Sequence, residues 1–174
     1  MSISRTFLLS LLITVIVGCS RESAVVPPPG WIKVGNTKFS FYIPGDMKLS
    51  PERGSDSFFR QYKNDDMSLS FNYGCCSDSL DHYSGEKNYS EKTEEINGKQ
   101  AKIVFFVDVR PPRIRPPKAT QSPHFKNRAG IYFPIVGSGF GKGGDTKLTI
   151  GVSYRTEADR ATVEQIFKTI RFSD

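Results

Sequence analysis

The chain has 174 residues, 24 basic against 18 acidic side chains and a formal charge of +6, with 13 Phe, 7 Tyr, 15 Gly and 11 Pro. That length favours one domain with a proper core, and three cysteines are too few for a disulfide framework, which excludes the small stapled secreted scaffolds. Abundant aromatics, interrupted often by Gly and Pro, lean towards strands rather than a helical bundle.

Residues 1–18 open with Arg5 and a mostly apolar run at 7–17. A permanent membrane helix takes roughly 20 apolar residues, so this shorter run reads as an export signal. Ile16, Val17, Gly18 and Cys19 resemble the lipobox of bacterial lipoproteins. The resemblance implies that the Cys19 thiol receives a diacylglycerol, that 1–18 are cut away, and that the freed amine is acylated, palmitate being a typical chain. Several acyl chains, at about 0.8 kcal/mol per buried methylene, turn marginal membrane contact into stable anchoring. Ser20 rather than Asp after the cysteine implies, in the same family, sorting to the outer membrane, facing the periplasm. The alternative is a soluble exported chain cut after Ser20, with Gly18 and Ser20 as the small residues of the cleavage site. With Arg5 set aside, 23 basic side chains stand against 18 acidic ones. That balance suits an acidic protein or an anionic envelope component as partner, and export makes nucleic acid an unexpected one. The oligomeric state is left open.

Residues 19–30 form the anchor and a tether. Pro27, Pro28 and Pro29 favour an extended chain, and eleven residues from Ser20 reach roughly 30 Å. A single domain, 31–174, follows. Phe39, Phe41 and Ile43 alternate with Ser40 and Tyr42 and stop at Pro44-Gly45-Asp46, the pattern of a half-buried strand paired with 31–34. Strands over 58–62 and 67–73 flank Asn64-Asp65-Asp66, with Met67, Leu69, Phe71 and Tyr73 on one face. Asn97-Gly98 is a type I′ hairpin signal joining 89–96 to 99–109. Ala101, Ile103, Phe105, Val107 and Val109 share one face there, while Val104 and Phe106 make the other apolar too, as expected of a central strand covered on both sides. Strands at 131–136 and 147–154 form the last pair. A helix follows, with Thr156 as its cap, Asp159 in its first turn, and Val163, Ile166, Phe167 and Ile170 as its apolar stripe. The expected fold class is therefore α+β, a central antiparallel sheet of about six to eight strands with the C-terminal helix packed on one face.

The Ile-Pro-Gly that ends the first Phe-rich strand, Phe71 to Gly74, the Ile96 to Ala101 hairpin and the closing Ile170-Arg171-Phe172 together resemble the PsbP-like and DcrB-like group of extracytoplasmic domains. The resemblance spans most of 31–174 and implies an antiparallel sheet with helices packed on it. It implies no single activity, and the Pro-rich insertion after Val109 departs from the pattern.

Several stretches bear on chemistry. Cys75 and Cys76 adjoin, and neighbouring Cα atoms lie ~3.8 Å apart against the usual ~4.4–6.8 Å of a disulfide. A bond between them is strained and reducible, so the pair is either a redox element or structural. A metal reading adds His82 with Asp78 or Asp81, although the spacing matches no standard zinc set. From Arg110 to Gly144 no acidic residue occurs, while Arg110, Arg113, Arg115, Lys118, Lys126, Arg128 and Lys142 are positive. Pro111, Pro112, Pro116, Pro117 and Pro123 keep this segment extended, with His124 and Phe125 available beside the charges. Arg110, Arg113, Arg115, Lys118, Phe125, Lys126 and Arg128 are therefore the candidate partner-binding residues; the alternative is a loop whose charge only keeps it solvated. Gly139, Gly141 and Gly144 satisfy G-x-G-x-x-G, but a strand rather than a helix is expected next. The Walker pattern fails at Val136 and Gly143. Ser138 lacks the first Gly of G-x-S-x-G, and His82 and His124 are the only histidines. No catalytic residue, cofactor or resident metal is assigned.

The expectation is a non-enzymatic, lipid-anchored envelope accessory module that binds through its basic loop. The alternatives are an immunity or inhibitor protein acting on a periplasmic toxin enzyme, and a redox- or metal-linked protein using Cys75, Cys76 and His82.

Overall fold

The computed structural model describes residues 25–51, 58–109, 125–138 and 145–173. Its strands are β1 (Trp31–Gly35), β2 (Phe39–Pro44), β3 (Lys48–Leu49), β4 (Phe58–Lys63), β5 (Met67–Gly74), β6 (Lys87–Ile96), β7 (Lys99–Val107), β8 (Asn127–Ser138), β9 (Asp145–Tyr154) and β10 (Arg171–Phe172). Among the described residues one α-helix, α1 (Ala158–Lys168), precedes β10. Seven strands form an antiparallel sheet in the order β3-β4-β5-β9-β8-β7-β6, and β1-β2-β10 form a second, three-stranded one. The fold is α+β as expected, with a central antiparallel sheet of seven strands, and three further strands form a second, smaller sheet.

The predicted hairpins all form. Asn97 and Gly98 both have positive φ, 49° and 73°, as a type I′ turn requires. Asn97 also reaches out of its hairpin, since its Oδ1 accepts the backbone N–H of Phe172 at 2.7 Å and so ties β10 to the large sheet.

Alternation decides which face of the large sheet is buried. Leu69, Phe71, Ile103, Ile131, Phe133, Leu148 and Ile150 project to one side, the inner face, and all are buried. The small sheet and α1 cover that face together. Phe39 and Phe41 of β2 meet the Phe71 ring edge-on, with centroids 5.4 and 5.6 Å away. Phe172 of β10 meets Phe133 at 4.9 Å. On α1, Val163, Ile166 and Phe167 are buried, and Ile170 just past its end is too, as the apolar stripe predicts. Its N-terminus departs from the expected cap. Thr156 does not cap with its hydroxyl; the Asp159 carboxylate instead accepts the Thr156 N–H and O–H at 2.8 and 2.9 Å. At the other end Thr169 donates to Ile166 O and accepts the Tyr42 N–H, joining the helix end to β2.

Two further expectations need correction. β7 is covered on both faces, but it lies next to the edge strand β6, and β9 occupies the middle of the sheet. The outer cover of β7 is local: Leu80 and Tyr83 pack on Val104 and Phe106. β8 also begins at Asn127, four residues before the strand expected at 131, so Arg128 belongs to the sheet and not to the insertion.

Candidate functional site

β5 pairs with β9, whereas β6 lies at the far edge beyond β8 and β7. The connection 75–86 must therefore cross the outer face of three strands, and it forms a strap. The Ser77 hydroxyl pins its start to the Asn72 and Lys147 carbonyls at 2.9 and 3.3 Å, and the Thr149 hydroxyl donates to Asp78 O at 2.6 Å. Leu80 sits where β8 has Gly130; a Cβ there would lie 2.7 Å from the Leu80 Cδ1. Asp78 Oδ1 accepts the Leu80 N–H at 2.8 Å and holds this residue at φ 64°, a conformation costly for a bulky side chain. Tyr83 stacks on Phe106 with centroids 4.4 Å apart. Lys102 pairs with Asp81, and this hydrogen bond, then that from Ser79, holds the Asp81 carboxyl below the ordinary carboxylate range.

The strap leaves part of the outer face open. A cleft of about 400 Å³ runs beside it, with Ser68, Ser70, Gly151 and Ser153 on its floor and Leu80, Tyr83 and Phe106 along its wall. The strand register explains the floor. Gln61, Ser70, Gly151 and Gly130 lie side by side on β4, β5, β9 and β8, and Ser68, Ser153 and Arg128 form the next row. Hydroxyls and glycines in consecutive rows remove the bulk that outward side chains give a sheet. A Cβ at Gly151 meets only Ser70 Oγ, at 3.8 Å, so space stands open above it.

Arg128 closes one end. Its guanidinium donates to Ser153 Oγ and pairs with Asp108 at 3.5 Å, and Asp108 is only 5% exposed. A buried carboxylate in this position needs such a partner. Here the insertion leaves and rejoins the sheet: Val107 pairs with Asn127, and the Asp108 N–H donates to Lys126 O at 2.8 Å.

The sequence-predicted residues fall in different places. Cys19, Arg110, Arg113, Arg115 and Lys118 lie outside the described residues, as do His124 and Lys142. Lys126 is exposed at the root of the insertion. Phe125, expected to be available to a partner, is instead buried at 6% exposure beneath the Arg155 guanidinium, 5.9 Å from its ring. It anchors the returning limb. Arg128 is partly buried, its charge engaged by Asp108.

Cys75 and Cys76 are exposed thiols with sulfurs 3.0 Å apart. His82 pairs with Asp78 at 3.5 Å and lies on the Tyr83 ring. Among the described residues no three His, Cys, Asp or Glu are grouped to hold a metal ion, so the sequence neighbours Cys75, Cys76 and His82 do not converge. Part of the Gly-rich segment, 139–144, lies outside the described residues, and the strand β9 follows it, which removes the helix a dinucleotide fingerprint needs.

The cleft floor escaped the sequence reading, although a signal exists. On the outward side β5 carries Ser68, Ser70 and Asn72, and the middle of β9 carries Thr149, Gly151 and Ser153, all small or uncharged, whereas the edge strand β6 turns Glu91 and Glu95 outward. No protein-family model matches this sequence, and no curated protein matches it either.

Proposed function

We propose that this chain is a lipid-anchored lipoprotein of the outer membrane, facing the periplasm, whose domain works as a non-enzymatic binding module for an acidic protein or anionic envelope component. The observation that carries the reading is the junction of cleft and insertion. Phe106, Asp108 and Arg128 line the cleft and stand within four residues of the segment that contributes Arg110, Arg113, Arg115 and Lys118. A partner held by accumulated positive charge at that segment meets a donor-rich floor of serine hydroxyls beside it.

Affinity capture from solubilised envelope tests the reading with two variants. One changes Arg110, Arg113 and Arg115 to Glu, and the other is Gly151→Leu, which fills the cleft from its floor. Both are expected to lose the same partner; an unchanged set of captured proteins overturns the proposal. Mass spectrometry of the mature chain tests the anchor, with an acylated Cys19 at the N-terminus as the expected result. An unmodified thiol there, or a start elsewhere, removes the membrane from the reading.

A further inference from the structure

The strap begins with two cysteines whose placement the cleft does not use. Gly74 is still in register with Lys147 on β9, and Ser77, only two residues beyond the first cysteine, is 7% exposed with its hydroxyl bonded to backbone carbonyls on both β5 and β9. The turn carrying Cys75 and Cys76 is thus fastened on each side. Within it both side chains remain exposed, and their sulfurs point at one another across 3.0 Å. A structural pair has no need of that exposure, and a reactive pair does.

We infer that Cys75 and Cys76 are a redox-active dithiol that closes and reopens by exchange with an external disulfide. One thiolate attacks a sulfur of that disulfide, forming a mixed disulfide and expelling the first thiol. The neighbouring thiolate then attacks the cysteine sulfur of the mixed disulfide and expels the second thiol. The Cys75–Cys76 bond forms, the external S–S bond breaks, and two electrons and two protons leave with the two thiols. Because adjacent Cα atoms lie closer than an unstrained disulfide prefers, the closed ring is readily reduced, and the pair cycles instead of locking. This inference does not depend on the anchor or on the partner.

The full chain is incubated in glutathione buffers of graded ratio, quenched with acid, alkylated and digested with trypsin. The readout is the peptide 64–87, which contains both residues and excludes Cys19. The expected product has lost two hydrogens and takes up no alkylating agent, and added reduced glutathione restores both alkylation sites. Cys75→Ser and Cys76→Ser each stop at a single glutathione adduct. In urea, where the strap no longer fastens the turn, the closed fraction falls relative to adducts by ~10-fold, as expected when effective concentration is lost. Stable double adducts on the folded chain, a disulfide between two chains, thiols that stay alkylatable, or equal closure with and without urea would each overturn the inference.

Discussion

Phe71 is the place to test whether the two sheets share one core. It is 1% exposed, and four rings surround it: Phe39 and Phe41 from the small sheet at 5.4 and 5.6 Å, Phe58 and Tyr62 from β4 at 5.8 and 6.5 Å. Truncating a buried Phe to Ala costs ~3–5 kcal/mol. The upper part of that range applies here, because the edge-on contacts to Phe39 and Phe41 each add ~0.5–1.5 kcal/mol beyond area burial. β5 is also paired on both sides, by β4 and β9, so its backbone cannot move to fill the hole. Against a total of ~5–15 kcal/mol, Phe71→Ala should remove a large fraction of the stability. At ~2–4 °C per kcal/mol the melting temperature should fall by roughly 8–20 °C. Urea titration separates the contributions of the sheets. Trp31, the single tryptophan, belongs to β1 and reports on the small sheet by fluorescence, while far-UV circular dichroism reports mainly on the large one. Both signals should move together to lower urea with one midpoint. Separate midpoints in the parent chain, or a variant in which fluorescence alone moves, would refute the shared core.

Three smaller tests follow from particular hydrogen bonds and charges. Thr169→Val keeps the shape but deprives the Tyr42 N–H of its acceptor, so urea denaturation should show a loss of ~1–3 kcal/mol, while Thr169→Ser loses less. Asn97→Ala should destabilise more than Asn97→Gly, by ~1–2 kcal/mol, since both lose the bond to Phe172 but only Ala is strained at positive φ. Equal losses would mean that the turn conformation is not what Asn97 supplies. Burial first, then Glu157, pushes the Tyr154 hydroxyl up to about 12 from 10.0. The unfolded chain therefore releases this proton at lower pH than the folded one, so the stabilisation is complete below pH ~10 and declines towards pH ~12, by about 1.4 kcal/mol per unit. Tyr154→Phe should flatten that alkaline decline in urea midpoints measured between pH 9 and 12, and an unchanged slope would place the loss elsewhere.

Much of the architecture was legible because its signals are local. The Asn97-Gly98 turn, the alternation of Met67, Leu69, Phe71 and Tyr73, and the stripe from Val163 to Ile170 each depend on neighbours a few residues away, where backbone conformation and side-chain period decide the outcome. Residues whose role depends on distant strands were read less well. Phe125 looked exposed beside its charges and is buried because Arg155 and the sheet end cover it. Val104 and Phe106 correctly announced a covered outer face, and the cover is the strap, through Leu80 and Tyr83.

By itself, then, the sequence determined the hairpins, the helix and the side of each strand that turns inward. The tertiary structure alone decided that β1, β2 and β10 form a separate sheet, that β9 is central, and that 75–86 must cross the outer face to reach β6. The cleft follows from that crossing and from small side chains on β5, β9 and β8 falling in register. Any two extended segments offer each other the same backbone hydrogen bonds, so which edges pair is settled only by how their side chains pack once the whole chain is assembled.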